Sequence, residues 1–167
     1  MVKEINEKNI REKYKSITKT LIEKAVTITT MESCTSGQIA SLITDTEGAS
    51  EIFKGAFITY SNEAKIMMGV SKETIESHGV YSEETASEMA KVCREKFQAD
   101  IGIGITGSFG NADPNNSDSI PGEVFFAIAL KDGVEGFHCL IPYQKSRLEY
   151  KLYIAEVIAD ELLQNHL

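Results

Sequence analysis

The sequence has no tryptophan, few prolines and cysteines, and no long apolar run. One of its longest apolar runs, residues 124–130, is far shorter than the roughly 20 residues that a membrane-spanning helix requires. The three cysteines, Cys34, Cys93 and Cys139, form no CxxC pair and are too scattered for a disulfide framework, which predicts reduced thiols. We therefore expect a cytoplasmic protein with no membrane partner.

Basic residues are also in deficit, because 17 lysines and arginines face 25 aspartates and glutamates, a formal charge of −8. This charge opposes the counterion release that drives binding to DNA or RNA, so no nucleic acid polymer is expected as a partner. A small phosphorylated ligand stays possible, since it needs only a few local N–H groups and one or two cations. Residues 1–24 are charged throughout and lack the apolar centre of a secretory signal, which indicates mature protein.

The 167 residues, 42% of them hydrophobic, have the size and apolar content of one domain, with the helix of residues 1–24 packed on it. No repeat or linker divides the chain. The predicted elements are an opening helix ending near Lys24, strands at 25–30, 53–60 and 101–105, short helices at 39–43 and between Ser61 and Gly69, a helix after Ser82, a hairpin of 123–130 and 134–141, and a closing helix at 148–162. Early strands that alternate with helices, followed by a hairpin, predict an α/β fold: a three-layer α/β/α sandwich with a mixed sheet.

A candidate nucleophile stands at the first strand-to-helix turn. Ser33 follows a strand and precedes a helix, where free backbone N–H groups can stabilise an oxyanion or a phosphate. A serine also needs a base, and none of the histidines suggests a triad. Lys65, one turn into the next short helix, and Tyr60, which leaves a strand, can converge on the same sheet edge. To act as the base, Lys65 needs a pKa lowered from about 10.4 toward 7 or 8, and burial beside Ile66 and Met67 is a source of that shift.

Other readings of these residues compete with catalysis. Ser33 also fits a helix cap, Lys65 an exposed helix residue, and Cys34 a rival nucleophile whose thiol better fits a small buried hydrophobe. The long polar segment 106–121 is a candidate binding loop. Its acidic and amide residues lack the glycine and terminal glutamate of a calcium loop, and no His/Cys cluster has zinc spacing, so we predict neither a metal site nor a cofactor.

Several ordered segments together resemble one protein family. They are residues 32–35 (ESCT), 60–65 (YSNEAK), 69–70 (GV), 78–82 (HGVYS), and 99–103 (ADIGI) leading to Thr106 and Gly107. The similarity, from about residue 25 to the last helix, is to the CinA C-terminal domain family, which includes nicotinamide mononucleotide amidohydrolases. It implies a three-layer α/β/α fold, a homo-oligomer (dimer or higher) and, in active members, metal-free deamidation of nicotinamide mononucleotide to nicotinate mononucleotide and ammonia.

The resemblance also implies residue roles. Ser33 resembles the nucleophile, Lys65 its general base and later proton donor, and Tyr60 a hydroxyl partner in that proton network. The resemblance further implies substrate contacts from backbone N–H groups of Cys34, Thr35, Ser36 and Gly37, from nucleotide-binding elements at Thr106, Gly107 and Ser108, and from Arg147, a basic residue before the last helix that suits a phosphate.

Three departures from the family pattern lie near the presumed substrate. Ser36 replaces the first glycine of a usual pair, residues 108–111 (SFGN) replace the common Ile-Ala-Gly-Pro, and Lys151 stands where arginine is frequent. They leave Ser33, Tyr60 and Lys65 intact. The first hypothesis is therefore a Ser/Lys amidohydrolase acting on a pyridine mononucleotide. The alternatives are a non-catalytic nucleotide-binding or interaction module and an amidase for a different small amide.

Overall fold

A computed structural model describes residues 4–167, so the first three residues of the predicted opening helix lie outside the described chain. Its sheet has the order β2-β1-β3-β4-β5. β1 pairs in parallel with β2 and β3, whereas β4 is antiparallel to both β3 and β5. The predicted mixed sheet is confirmed. The strands are β1 (Ile28–Glu32), β2 (Ala56–Ile58), β3 (Ile101–Gly107), β4 (Glu123–Leu130) and β5 (Gly133–Leu140).

Helices cover both faces of this sheet. The helices are α1 (Glu7–Lys24), α2 (Gln38–Thr44), α3 (Asn62–Met68), α4 (Lys72–His78), α5 (Glu83–Phe97) and α6 (Arg147–Glu161), with a 3₁₀ turn at Ala49–Glu51 and a π-helical turn at Leu162–His166. α1, α2 and α6 bury one face, where Ile103 and Ile105 join their apolar side chains. α5 covers the other face over Met31 and Ala127. The three-layer α/β/α arrangement follows. Within residues 4–167, no helix is long and apolar enough to cross a membrane.

Helix caps explain which element boundaries were predicted correctly from the sequence and which were not. Ser61 and Ser82 cap α3 and α5 as predicted, each accepting a backbone N–H three residues on. The first strand begins at Ile28 rather than at residue 25, because Ala25 closes α1 in a left-handed conformation (φ 52°). The predicted strand at 53–60 shortens to β2, and α4 was not predicted as a separate helix.

Two glycines of β3, which alternate with isoleucines, allow α5 to lie directly on the sheet. A Cβ atom added at Gly104 would lie 2.2 Å from the Ala86 carbonyl oxygen. One added at Gly102 would lie 2.3 Å from the Ala90 carbonyl oxygen. Because both clashing atoms belong to the helix backbone, they cannot move aside alone. This close approach fixes the distance between α5 and the strand that runs beside Ser33.

Replacing Gly104 with alanine tests this packing. We expect Gly104→Ala to lower the free energy of unfolding by about 3 kcal/mol or more, the upper range for overpacked cores. Gly133→Ala is the matched control, since a Cβ at Gly133 meets nothing within 4 Å, and it should change stability little. Urea denaturation followed by circular dichroism measures both. Equal stability of the two variants would contradict the packing argument.

Candidate active site

Ser33 sits at the carboxyl end of β1, on the wall of a cavity of about 700 Å³. Its amide donates to the Ile105 carbonyl at 2.9 Å, which extends the pairing of β1 with β3 by one residue and fixes the start of the turn. The side chain is 6% exposed, so the hydroxyl is shielded from bulk water but open to the cavity. Its position at the end of a parallel strand is where α/β folds place ligand sites.

Lys65 reaches this serine from α3. Its Nζ lies 3.0 Å from Ser33 Oγ and donates to the Thr59 carbonyl oxygen at 2.8 Å. The side chain is 1% exposed, and burial lowers the pKa of Lys65 to about 8, against the opposing attraction of Cys34, Asp113 and Glu63. The structure thus brings together the two residues predicted as nucleophile and base. The predicted source of burial was wrong, because Ile66 and Met67 are 38% and 76% exposed.

Glu32 is a residue whose role the sequence analysis missed. It is fully buried, and its carboxylate accepts N–H groups of Gly37 (2.9 Å), Ile39 (3.2 Å) and Ala40 (2.9 Å). A carboxylate is stabilised at a helix N-terminus by the helix dipole and the free N–H groups. Glu32 therefore clamps the start of α2 to the end of β1 and holds the Ser33 turn between them. An acid at a strand end just before a short helix was the available signal.

The predicted set of oxyanion donors needs correction. The Ser36 amide donates to the Ser33 carbonyl at 3.0 Å, and the Gly37 amide is held by Glu32, so neither is available to a substrate. Neither residue lines the cavity, nor does Thr35, which is fully buried. Within residues 4–167, the amides of Cys34 and Thr35 have no backbone acceptor, which leaves these two as candidate donors.

Ser36 itself takes a left-handed conformation with φ 54°, a position that suits glycine. A glycine at this position would therefore adopt the same turn without backbone strain. Cys34 lines the cavity, but burial raises the pKa of its thiol to about 12, so the thiolate needed for attack is scarce near neutral pH. The geometry favours Ser33 over Cys34 as the nucleophile.

Tyr60 and Arg147 form the rim of the cavity rather than its catalytic floor. Tyr60 is 62% exposed, and its hydroxyl accepts a hydrogen bond from Arg147 Nη2 at 3.2 Å. The hydrogen bonds among the described residues join the Tyr60 hydroxyl to Arg147 and not to Ser33 or Lys65, so its place in their proton network stays a prediction. Arg147 begins α6, and its guanidinium also lies over the Phe109 ring, 5.7 Å from the centroid. Among the described residues it has no carboxylate partner.

The predicted binding loop follows β3, and only part of it faces the cavity. Gly107 and Ser108 line the cavity as predicted. Thr106 does not, because it is fully buried and its hydroxyl donates to the Val80 carbonyl at 3.0 Å. The role predicted for Thr106 is corrected to a structural one. Ser108 Oγ donates to the Asn111 carbonyl at 2.8 Å, which closes the first turn of the loop.

Asp113 organises the rest of this loop, a role that the sequence did not reveal. Its carboxylate accepts hydrogen bonds from the Tyr81 hydroxyl and the Asn116 amide, both at 2.6 Å, and these lower the pKa of Asp113. Asn116 in turn accepts from Asn62 at the start of α3, at 2.9 Å. The loop is therefore joined to the helix that carries Lys65. None of the three histidines lines this cavity.

Comparisons with known proteins agree with this architecture. The family model described as CinA C-terminal domain matches residues 10–161. A CinA-like protein of Flavobacterium psychrophilum is 41% identical over 89% of this chain and 36% of its own length. A putative competence-damage inducible protein of Halothermothrix orenii is 45% identical over 70% of this chain and 28% of its own. The chain thus spans about a third of the length of these curated relatives.

Solved structures give the same result for the fold. The competence/damage inducible protein CihA from Agrobacterium tumefaciens superposes with a TM-score of 0.84 at 28% identity, covering 92% of this chain and 93% of that one. A competence-damaged protein (CinA) superfamily protein from Escherichia coli has a TM-score of 0.84 at 26% identity, covering 98% and 95%. The similarity extends over nearly all of both chains in each pair.

Replacing the buried lysine tests the electrostatics of the site. A pKa lowered from 10.5 to about 8 corresponds to roughly 3 kcal/mol of cost for the charged form at pH 7. Lys65→Met removes this cost but leaves the Thr59 carbonyl unpaired, so we expect a net gain of about 1 kcal/mol in the free energy of unfolding at pH 7.

The sign of the pH dependence follows from the same shift. Between pH 8 and 10.5 the unfolded wild type binds more protons than the folded one, so its stability rises with pH relative to Lys65→Met. The advantage of the variant should therefore shrink above pH 8. Denaturation at pH 7 and pH 9.5 measures it, with the exposed Lys72→Met as control. If Lys65→Met were less stable than the wild type at pH 7, the argument that the buried ammonium is costly would be contradicted.

Proposed function

This chain belongs to the CinA C-terminal domain family, and on that premise we propose that it hydrolyses the carboxamide of nicotinamide mononucleotide to nicotinate mononucleotide and ammonia. The observation that carries the proposal is the 3.0 Å contact between the buried Lys65 Nζ and Oγ of Ser33, which lines the cavity. This distance is within the range over which a general base takes a proton. The lowered pKa of Lys65 supplies a neutral amine near physiological pH.

Acylation begins with the neutral form of Lys65. One of its two N–H groups donates to the Thr59 carbonyl, and the nitrogen lone pair is then free to accept a proton from Ser33. Ser33 Oγ loses its proton to Nζ as it bonds to the carboxamide carbon. In this proposal the amides of Cys34 and Thr35, which have no backbone acceptor among the described residues, receive the developing oxyanion, an interaction worth about 10²-fold or more in rate.

Collapse of the tetrahedral intermediate completes the first half of the reaction. The protonated Lys65 gives its proton to the leaving nitrogen, and ammonia departs while the acyl group stays on Ser33 Oγ. A water molecule then attacks the acyl carbon, with Lys65 taking its proton, and the serine is restored. Burial serves both halves, because it keeps the pKa of Lys65 near the pH at which it must both accept and donate.

The size of the cavity and the charge at its rim suit the rest of a mononucleotide. The cavity volume of about 700 Å³ lies in the range of small-molecule sites. The Arg147 guanidinium is the cation of this rim and has no carboxylate partner among the described residues, so it is suited to a phosphate. Tyr60 holds one of its nitrogens and positions the group.

A second candidate is a nucleotide-binding module without turnover, or an amidase for another small amide. The observation that favours it is the loop at residues 108–111, whose sequence differs from the usual family pattern and whose Ser108 hydroxyl is held by the Asn111 carbonyl beside the cavity. This change affects which ligand is accepted more than whether Ser33 is activated.

The homo-oligomer stays a prediction, supported by the exposed apolar side chains of Leu140 and Tyr143.

Ammonia release from nicotinamide mononucleotide by the purified protein tests the proposal. Ser33→Ala and Lys65→Ala should each lower kcat by at least about 10³-fold, as for other nucleophile and base pairs. Arg147→Ala should mainly raise KM, by about 10-fold, because it binds a group remote from the carboxamide.

Exposed residues of the same types give matched controls. Ser41→Ala and Lys72→Ala lie outside the cavity and should retain wild-type turnover. Wild-type protein that binds the nucleotide without releasing ammonia would support the non-catalytic module instead. Turnover of another amide alone would keep the dyad and change the substrate.

A further inference from the structure

A second cluster of ionisable side chains lies away from this cavity, at the outer strand of the sheet. It consists of Glu135 on β5, Glu161 at the end of α6 and His166 in the π-helical turn. None of the three lines the active-site cavity, and the reaction proposed above uses none of them. Each offers one oxygen or nitrogen atom, and the three atoms lie within 4.8 Å of one another.

The imidazole of His166 is buried without a hydrogen-bond partner for Nε2. Its side chain is 5% exposed, although the residue lies near the end of the chain. The nearest acceptors are Glu161 Oε1 at 3.5 Å and Glu135 Oε2 at 3.7 Å. Both distances exceed the 2.7–3.2 Å typical of N–H···O hydrogen bonds. Buried polar atoms nearly always have a hydrogen-bond or metal partner. We therefore expect His166 Nε2 to have a partner that lies between the three side chains.

The two distances from His166 Nε2 match the spacing of ligand atoms around a small cation. Zinc binds histidine nitrogen and carboxylate oxygen at about 2.0–2.2 Å in a tetrahedral arrangement, which sets neighbouring donor atoms about 3.4 Å apart. The distances of 3.5 and 3.7 Å are close to that separation. They are too long for a hydrogen bond and suitable for two ligands of one ion. Two carboxylates and a neutral imidazole also balance a divalent charge.

Local backbone geometry brings two of these ligands to the same side. In a regular α-helix, residues five apart such as Glu161 and His166 point about 140° away from each other. The chain changes to a wider π-helical turn at Leu162–His166, and this turn brings both side chains to Glu135. π-Helical segments are rare and are often found at functional sites.

From these observations we infer that Glu135, Glu161 and His166 bind a divalent transition-metal ion, with Zn²⁺ the best match to the donor set. The fourth position is left for water. The ion joins the last helical turn to the outer strand of the sheet, so its role is structural. It neutralises the two carboxylates and gives the buried Nε2 atom its partner.

Calorimetric titration of the full-length, untagged protein with ZnCl₂ tests this site. We expect one saturable site per chain, and the same experiment with CaCl₂ should show no comparable binding, because an imidazole ligand favours zinc over calcium. His166→Gln and Glu135→Gln should each weaken zinc binding by at least about 10-fold. Glu135 is 62% exposed, so its variant should fold normally even if His166→Gln does not.

His138→Gln is the matched control, because His138 lies on β5 like Glu135 but pairs with a single carboxylate, that of Glu123 on β4, at 2.9 Å. It should leave zinc binding unchanged. Co²⁺ should also give the visible absorption of a tetrahedral site in wild type and lose it in Glu135→Gln. Absence of saturable zinc binding, equal binding of calcium, or zinc binding that survives both ligand variants would each overturn the inference. Ammonia release is not part of this test, so its outcome is independent of the proposed function.

Discussion

The contact between Lys65 Nζ and Ser33 Oγ is the interaction on which the rest of the site depends, and it exists only because a lysine is fully buried. Burial of an ammonium group is costly, and the chain compensates with one carbonyl acceptor, that of Thr59, rather than with a paired carboxylate. A direct ion pair would favour the charged form and remove the base. Because the compensation is incomplete, the pKa of Lys65 is lowered, and the amine can act as a base.

The surrounding architecture keeps these two side chains in register. Glu32 binds the start of α2 and fixes the turn that contains Ser33. Ser61 and Gly69 cap the two ends of α3 and so determine the position of Lys65 on this helix. The chain of contacts from Asp113 through Asn116 to Asn62 joins the loop at the cavity to the same helix. These contacts orient the pair, and the charge of Asp113 also opposes the lowering of the Lys65 pKa. Charged and polar groups at the rim are left to select the ligand.

Sequence reasoning reached the fold, the caps and the proximity of Ser33 and Lys65 because those follow from local patterns. Strand ends, helix starts and periodic apolar residues are visible in order along the chain. The direction of a side chain across a cavity is not, so the contact of the Tyr60 hydroxyl with Arg147, 87 positions later, was not predicted. Thr106 was misread because its hydroxyl meets the Val80 carbonyl through tertiary packing. Ile66 and Met67 were taken as the cover of Lys65 from adjacency alone, although the helix turns them outward.

The central claim is that burial lowers the pKa of Lys65 to about 8, so that a usable fraction of the amine beside Ser33 is neutral near physiological pH. The most direct measurement is NMR titration of the lysine side chains in protein labelled at lysine Cε, with Lys65→Met used to assign the Lys65 resonance. The account predicts one resonance, absent from the variant, that titrates with a midpoint near pH 8. A Lys65 resonance that titrates near 10.5, like an exposed lysine, would contradict it and leave Ser33 without its base.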